Sequence, residues 1–176
     1  MNMSAMSSPK IGFAGVYGSA KKVNEDGTRT PFKINLPNDD ASLFIDNGNS
    51  HSKLENGQVR LWLNEGGVKS NAPKQKNSAV YEDVAIDKVD GNSRLNINAY
   101  DQFSIGTLKD NAELTLSGKD KFSGAWAEIG EIVGKNVKMI LGEGTKAEIE
   151  EKADFNLQST NINNARIIGE NLQIKG

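Results

Sequence analysis

The side chains that usually carry chemistry are sparse in this sequence, and their spacing narrows the choice. His51 is the only histidine, and there is no cysteine. Thiolate nucleophiles, iron–sulfur clusters and the usual Cys/His zinc sites are therefore excluded, and a lone imidazole supplies at most one general base. His51 lies in Asp46-Asn47-Gly48-Asn49-Ser50-His51-Ser52, whose composition is that of a surface loop. Carboxylates gather at Asp39-Asp40, Glu82-Asp83, Asp87 with Asp90, and Glu148-Glu150-Glu151. A polysaccharide-acting enzyme would need two of them facing each other in an exposed groove, and no spacing singles out such a pair. Calcium loops of the Asp-x-Asp-x-Asp-Gly kind are absent as well. Gly12-Phe13-Ala14-Gly15-Val16-Tyr17-Gly18 sets glycines three apart, but it follows neither the dinucleotide nor the P-loop order, and no long helix comes after it. No catalytic residue, cofactor or metal site is expected.

The elements that would hold these residues are more legible. Twenty asparagines and 18 glycines in 176 residues supply many positions tolerant of left-handed backbone angles, hence many turns. Helical spacing is rare. Short alternations recur instead, at Leu43/Ile45, Leu61/Leu63, Val84/Ile86, Leu95/Ile97, Leu114/Leu116, Phe155/Leu157 and Leu172/Ile174. One stretch departs from this: Trp126, Ile129, Ile132 and Val133, within Ala125 to Val133, fall at helix-like spacing. The chain is expected to be all-β. Its 36% hydrophobic and 25% charged residues match a folded domain, and the longest apolar runs are triplets, far short of the roughly 18 to 20 residues of a spanning helix. With 21 basic against 23 acidic residues there is no basic excess to recommend a nucleic-acid partner. Met1 to Lys10 has no apolar core of the secretory type, so cytoplasmic residence is the default expectation.

A repeat runs through the alternations. Leu43, Leu61, Ala79, Ile97, Leu114, Ile132, Ile149 and Ile167 follow one another at steps of 17 or 18 residues, and all are aliphatic. A second row, Ile105, Phe122, Met139, Leu157 and Ile174, falls half a period later. The spacing predicts a parallel β-solenoid of about eight coils of about 18 residues, in which like side chains stack about 4.8 Å apart. An antiparallel β-sandwich, with strands every 8 to 12 residues or so, is the alternative. Residues 1–40 do not join the beat and are assigned to an N-terminal cap or a partly disordered arm, with the solenoid domain at 41–176.

Two features suggest contact with something else. Phe44, Trp62 and Val80 lie between inward positions, so a period-two strand turns them outward as an apolar column, to be covered by Phe13, Tyr17 and Phe32 of the N-terminal segment, by a protein partner or second copy, or by a glycan on Trp62. Leu172 and Ile174 belong to a strand in phase with the repeat whose uncovered edge is expected to continue into a longer solenoid, to stack onto another subunit, or to be blocked by Lys175. The architecture is similar to that of the bactofilins, short β-solenoids that polymerise end to end without nucleotide, a likeness of coil length and size that rests on no shared motif. The expected role is a non-enzymatic structural or interaction module that self-assembles by stacking of solenoid ends. A glycan-binding or surface-adhesion module is the alternative, with a polysaccharide-acting enzyme as the third reading.

Overall fold

The alternating segments within the described residues fold as strands, with Leu157 lying outside them, and parallel pairing between the strands builds one sheet that coils on itself. The computed structural model describes residues 13–47, 53–64, 79–118, 120, 122–134, 136–156, 161–162, 166–169 and 172–175, with side chains described up to residue 150. His51 lies outside the described residues. In chain order the strands are β1 (Gly15–Val23), β2 (Arg29–Leu36), β3 (Ser42–Asp46), β4 (Gln58–Leu63), β5 (Val80–Asp90), β6 (Arg94–Asn98) and β7 (Gln102–Lys109). They continue as β8 (Glu113–Ser117), β9 (Trp126–Val133), β10 (Lys138–Leu141), β11 (Lys146–Asn156), β12 (Asn161–Ile162), β13 (Arg166–Gly169) and β14 (Leu172–Lys175). Among the described residues no helix is long and apolar enough to cross a membrane.

The central sheet runs in the order β12-β10-β8-β6-β3-β4-β5-β7-β9-β11-β13. On one side β3, β6, β8, β10 and β12 pair in parallel, and on the other β5, β7, β9, β11 and β13 do the same. One strand from each side completes a turn, so the chain is a parallel β-solenoid of about four coils: β6 with β7, β8 with β9, β10 with β11, and β12 with β13 and β14. Parallel pairing excludes the antiparallel sandwich. The coil count and length differ from expectation. Leu95 is paired with Leu114 and Leu114 with Met139, while Ile86, Ile105, Ile129 and Ile149 are successive partners opposite, so a coil takes about 19 to 25 residues.

The predicted single file of aliphatics therefore does not exist. Leu114 belongs to one side, Ile132 sits between Leu108 and Ala153 on the other, Ile149 meets Ile129 and Gly169, and Ile167 meets Ala147. Among the residues whose side chains are described, both sides of a coil present aliphatic side chains to the interior. A step slightly shorter than a coil thus drifts from one side to the other without leaving apolar positions, which is how the 18-residue beat arose.

The core follows the pleat. Leu43, Ile45, Leu95, Ile97, Leu114, Leu116, Met139 and Leu141 point inward from one side, and Ile86, Val89, Phe103, Ile105, Leu108, Ile129, Ile132 and Ile149 from the other, all buried. Each large side chain so buried contributes roughly 1.5 to 3 kcal/mol of transfer free energy. In β7 and β9 the inward residues Ile105 and Leu108, and Ile129 and Ile132, are three apart, because the strand bends between them at Gly106 and Gly130. A Cβ on Gly130 would sit 2.7 Å from the Gly106 carbonyl oxygen, so stacked bends approach too closely for a side chain. The bend also explains the helix-like spacing within Ala125 to Val133, of which Trp126–Val133 is strand β9.

Two departures from simple winding occur at the first coil. β3 is flanked by β4 on one edge and β6 on the other, with Leu43 paired to both Val59 and Leu95. The chain thus steps outward to β4 before returning to wind onward from β3. The β1–β2 hairpin pairs antiparallel with the free edge of β5, Val16 opposite Val89 and Val23 opposite Val80. The pairing has two register shifts, and Asp83, held at φ 52°, lies at the one between Ser19 and Lys21. Phe32 of the hairpin packs on Tyr81 with ring centroids 4.9 Å apart, and Lys88 lies 5.3 Å over Tyr17.

Candidate functional site

The outward side of β3 and β4 carries the most organised group of polar and aromatic side chains. Inward Leu43 and Ile45 force Phe44 and Asp46 outward, and inward Val59, Leu61 and Leu63 do the same for Arg60 and Trp62. In register Phe44 faces Arg60 and Asp46 faces Trp62, while Trp62 also pairs with Val80 of β5. Arg60 Nε donates to Asp46 Oδ2 at 2.6 Å, and the two side chains are only 10% and 3% exposed. From that anchor the guanidinium lies 5.0 Å from the Trp62 ring centroid and 6.0 Å from that of Phe44. Burial pushes the Asp46 carboxyl above its usual range, and the hydrogen bond and charge of Arg60 work against that rise.

The expected column is corrected accordingly. Trp62 and Val80 are neighbours, but Arg60 stands opposite Phe44, so three apolar residues are replaced by an arginine set over two rings. The N-terminal segment does not contribute the expected cover through Phe32, which sits on Tyr81. Leu172 and Ile174 lie in β14 opposite Ala153 and Phe155, on a strand distant in the sheet order from β3 and β4. Alternation alone places Asp46 and Arg60 outward. Their partnership could not be read from the sequence, because it depends on β4 pairing with β3 at a shift of 16 residues.

Beyond β3 the same outward face continues as columns across β6, β8 and β10. Ser42, Arg94, Glu113 and Lys138 form one, and Phe44, Asn96, Thr115 and Ile140 another. A shallow hollow of about 60 Å³ lies between them near Ser42, Phe44, Gln58, Arg94 and Asn96. A larger hollow, about 380 Å³, opens on the outer side of the hairpin between Ala20, Phe32 and Lys33, where Lys21 and Asp83 form an exposed ion pair at 3.5 Å.

A close carboxyl pair, Asp90 with Asp110, joins the ends of β5 and β7. Asp90 accepts from the Gly91 N–H at 2.7 Å and from Lys88 Nζ at 3.3 Å, and it hydrogen-bonds Asp110, which is held at φ 57°. Burial acts upward on Asp90, but the bonds from Asp110, Gly91 and Lys88 outweigh it and hold its carboxyl below the usual range. The bond to Asp90, with some burial and the charge of Asp90, raises Asp110. Glycoside-cleaving carboxyls stand at least about 5 Å apart to admit substrate. This pair is in direct contact, with no room between its members, and its partners belong to a corner turn.

On the opposite side Lys146 Nζ sits 4.0 Å over the Trp126 ring and pairs with Glu148 at 2.9 Å. Among the described residues no three carboxylates or imidazoles gather closely enough to hold a metal ion. Comparison with known proteins gives no relative from which a role could be carried over: no family model, no curated protein and no solved structure matches the chain significantly.

Proposed function

We propose that the protein is a non-enzymatic interaction module that associates with copies of itself, using the rigid outward surface of the solenoid. The observation that carries this reading is the pair of half-buried outward rings, Phe44 and Trp62, held by the Arg60 guanidinium that Asp46 anchors. Arginine and aromatic side chains are the residue types enriched at the centres of protein interfaces, and a group already fixed in one conformation loses little entropy on binding. Sedimentation velocity over a range from about 10 μM to about 1 mM tests it, since association with a midpoint in that range raises the average mass visibly. A strictly monomeric species at the top of the range overturns it.

Trp62 also supports a second reading, a glycan-binding module, because an outward tryptophan in the same row as Asn98 and Ser117 offers ring and hydrogen-bonding contacts to a sugar. Arg60 already covers one face of that ring. A glycan array silent for the native protein, or unaffected by Trp62→Ala, removes this alternative.

A further inference from the structure

We infer that the outward face of β3, β6, β8 and β10 packs against the same face of a second copy, about a two-fold axis parallel to the strands and midway between β6 and β8. This deepens the self-association reading and rests on it. The central observation is a column of alternating charge that finds no ion-pair partner among the described residues. Arg94, Glu113 and Lys138 are successive partners on β6, β8 and β10, yet among the described residues none of them forms an ion pair, and Arg94 Nε turns instead to Ser42 Oγ at 3.1 Å.

An axis along the strands keeps each residue's position along its strand and inverts the strand order. It brings Arg94 over Glu113 of the second copy and Glu113 over Arg94, the reciprocal contact that an isologous interface requires. The neighbouring column matches under the same operation: Asn96 meets Thr115, polar on polar, and Phe44 meets Ile140, apolar on apolar. β6 and β8 are also the middle pair of β3, β6, β8 and β10, so the axis passes through the centre of this face. The shallow hollow between Ser42, Phe44 and Arg94 lies where Ile140 of the second copy arrives.

Four strands of about five residues give a face of roughly 19 Å by 17 Å, or about 300 Å² per copy. That is below the roughly 800 Å² per partner of a standard interface, and sheet twist concentrates contact at the centre, so the dimer is weak and depends on the two central ion pairs. Salt therefore weakens it.

The test is sedimentation equilibrium of the full chain at low ionic strength for wild type, Arg94→Glu, Glu113→Arg and an equimolar mixture of the two variants. Each variant alone places like charges opposite each other and weakens association by about tenfold or more, whereas the mixture restores wild-type mass because every facing pair is again of opposite sign. Circular dichroism confirms that both variants remain folded. Wild type that associates while the single variants do so equally well, or a mixture that fails to recover, overturns this face and leaves the self-association reading intact. A monomeric wild type overturns both.

Discussion

Arg60 Nε and Asp46 Oδ2 lie 2.6 Å apart on the outward side of two parallel strands, yet both side chains are nearly inaccessible. Ion pairs on an open sheet face are usually exposed and contribute about 0 to 1 kcal/mol. A buried one behaves differently, because removing a single partner strands the other charge out of water.

Asp46→Ala is accordingly expected to cost about 3 kcal/mol, since it leaves the Arg60 guanidinium without its buried counter-charge. The double change Asp46→Leu with Arg60→Met is expected to cost much less, about 1 kcal/mol or under, because no buried charge remains. Urea unfolding of the three proteins checks this. Additive losses in the double variant would show that the two residues do not act as a pair.

Asp110→Asn is expected to stabilise the protein at pH 7 by a few tenths of a kcal/mol, discounted for the exposure of residue 110. The raised folded pKa of Asp110 makes its contribution greatest below the unfolded value, and that contribution is lost as pH rises through the folded value. The lowered Asp90 works in the opposite sense, contributing above its unfolded value and losing that contribution as pH falls through the folded one. An amide donates to Asp90 at every pH and, like aspartate, tolerates the left-handed backbone at φ 57°. Thermal melts between pH 3 and 8 should show the decline above the carboxylate range flattened in the variant. An unchanged profile would mean that no proton is shared there.

Gly130→Ala and Gly106→Ala should each destabilise by about 2 kcal/mol, because the added methyl meets the carbonyl of the coil beneath. Gly27→Ala serves as a control for glycine replacement, since nothing lies within 4 Å of its Cβ position, although φ is +86° there. Equal melting temperatures for wild type and Gly130→Ala would show that the stacked bends are not tight.

Leu114→Ala should cost about 3 kcal/mol, as it opens a cavity between Leu95 and Met139 in the middle of the stack. Chemical denaturation gives the figure directly. A loss under about 1 kcal/mol would mean that the column can close around the gap.

The strands and their inward residues were legible because the pleat writes itself as alternation, as at Leu43/Ile45 and Leu114/Leu116. The fold class was legible too, since repeated aliphatic pairs without hairpin signals imply parallel stacking. Coil length was not. Leu114 and Ile132 are equally apolar, and nothing in their identity says that they sit on different sides of a coil. The bend at Gly130 disguised a strand as a helix by setting Ile129 and Ile132 three apart. The outward cluster was half legible: Phe44 and Trp62 could be placed by alternation, whereas the arginine between them depended on a register that only the assembled sheet defines.

The excursion through β4 gives the two halves of the stack different histories. Each later lap closes on a neighbour only about 20 residues away, so it can zip quickly once its predecessor is in place. β3 must wait for a strand 52 residues downstream before its second edge is satisfied. The molecule should therefore gain order from its middle outward, and the hairpin end, whose closures span the longest stretches of chain, should be the last to lock and the first to yield.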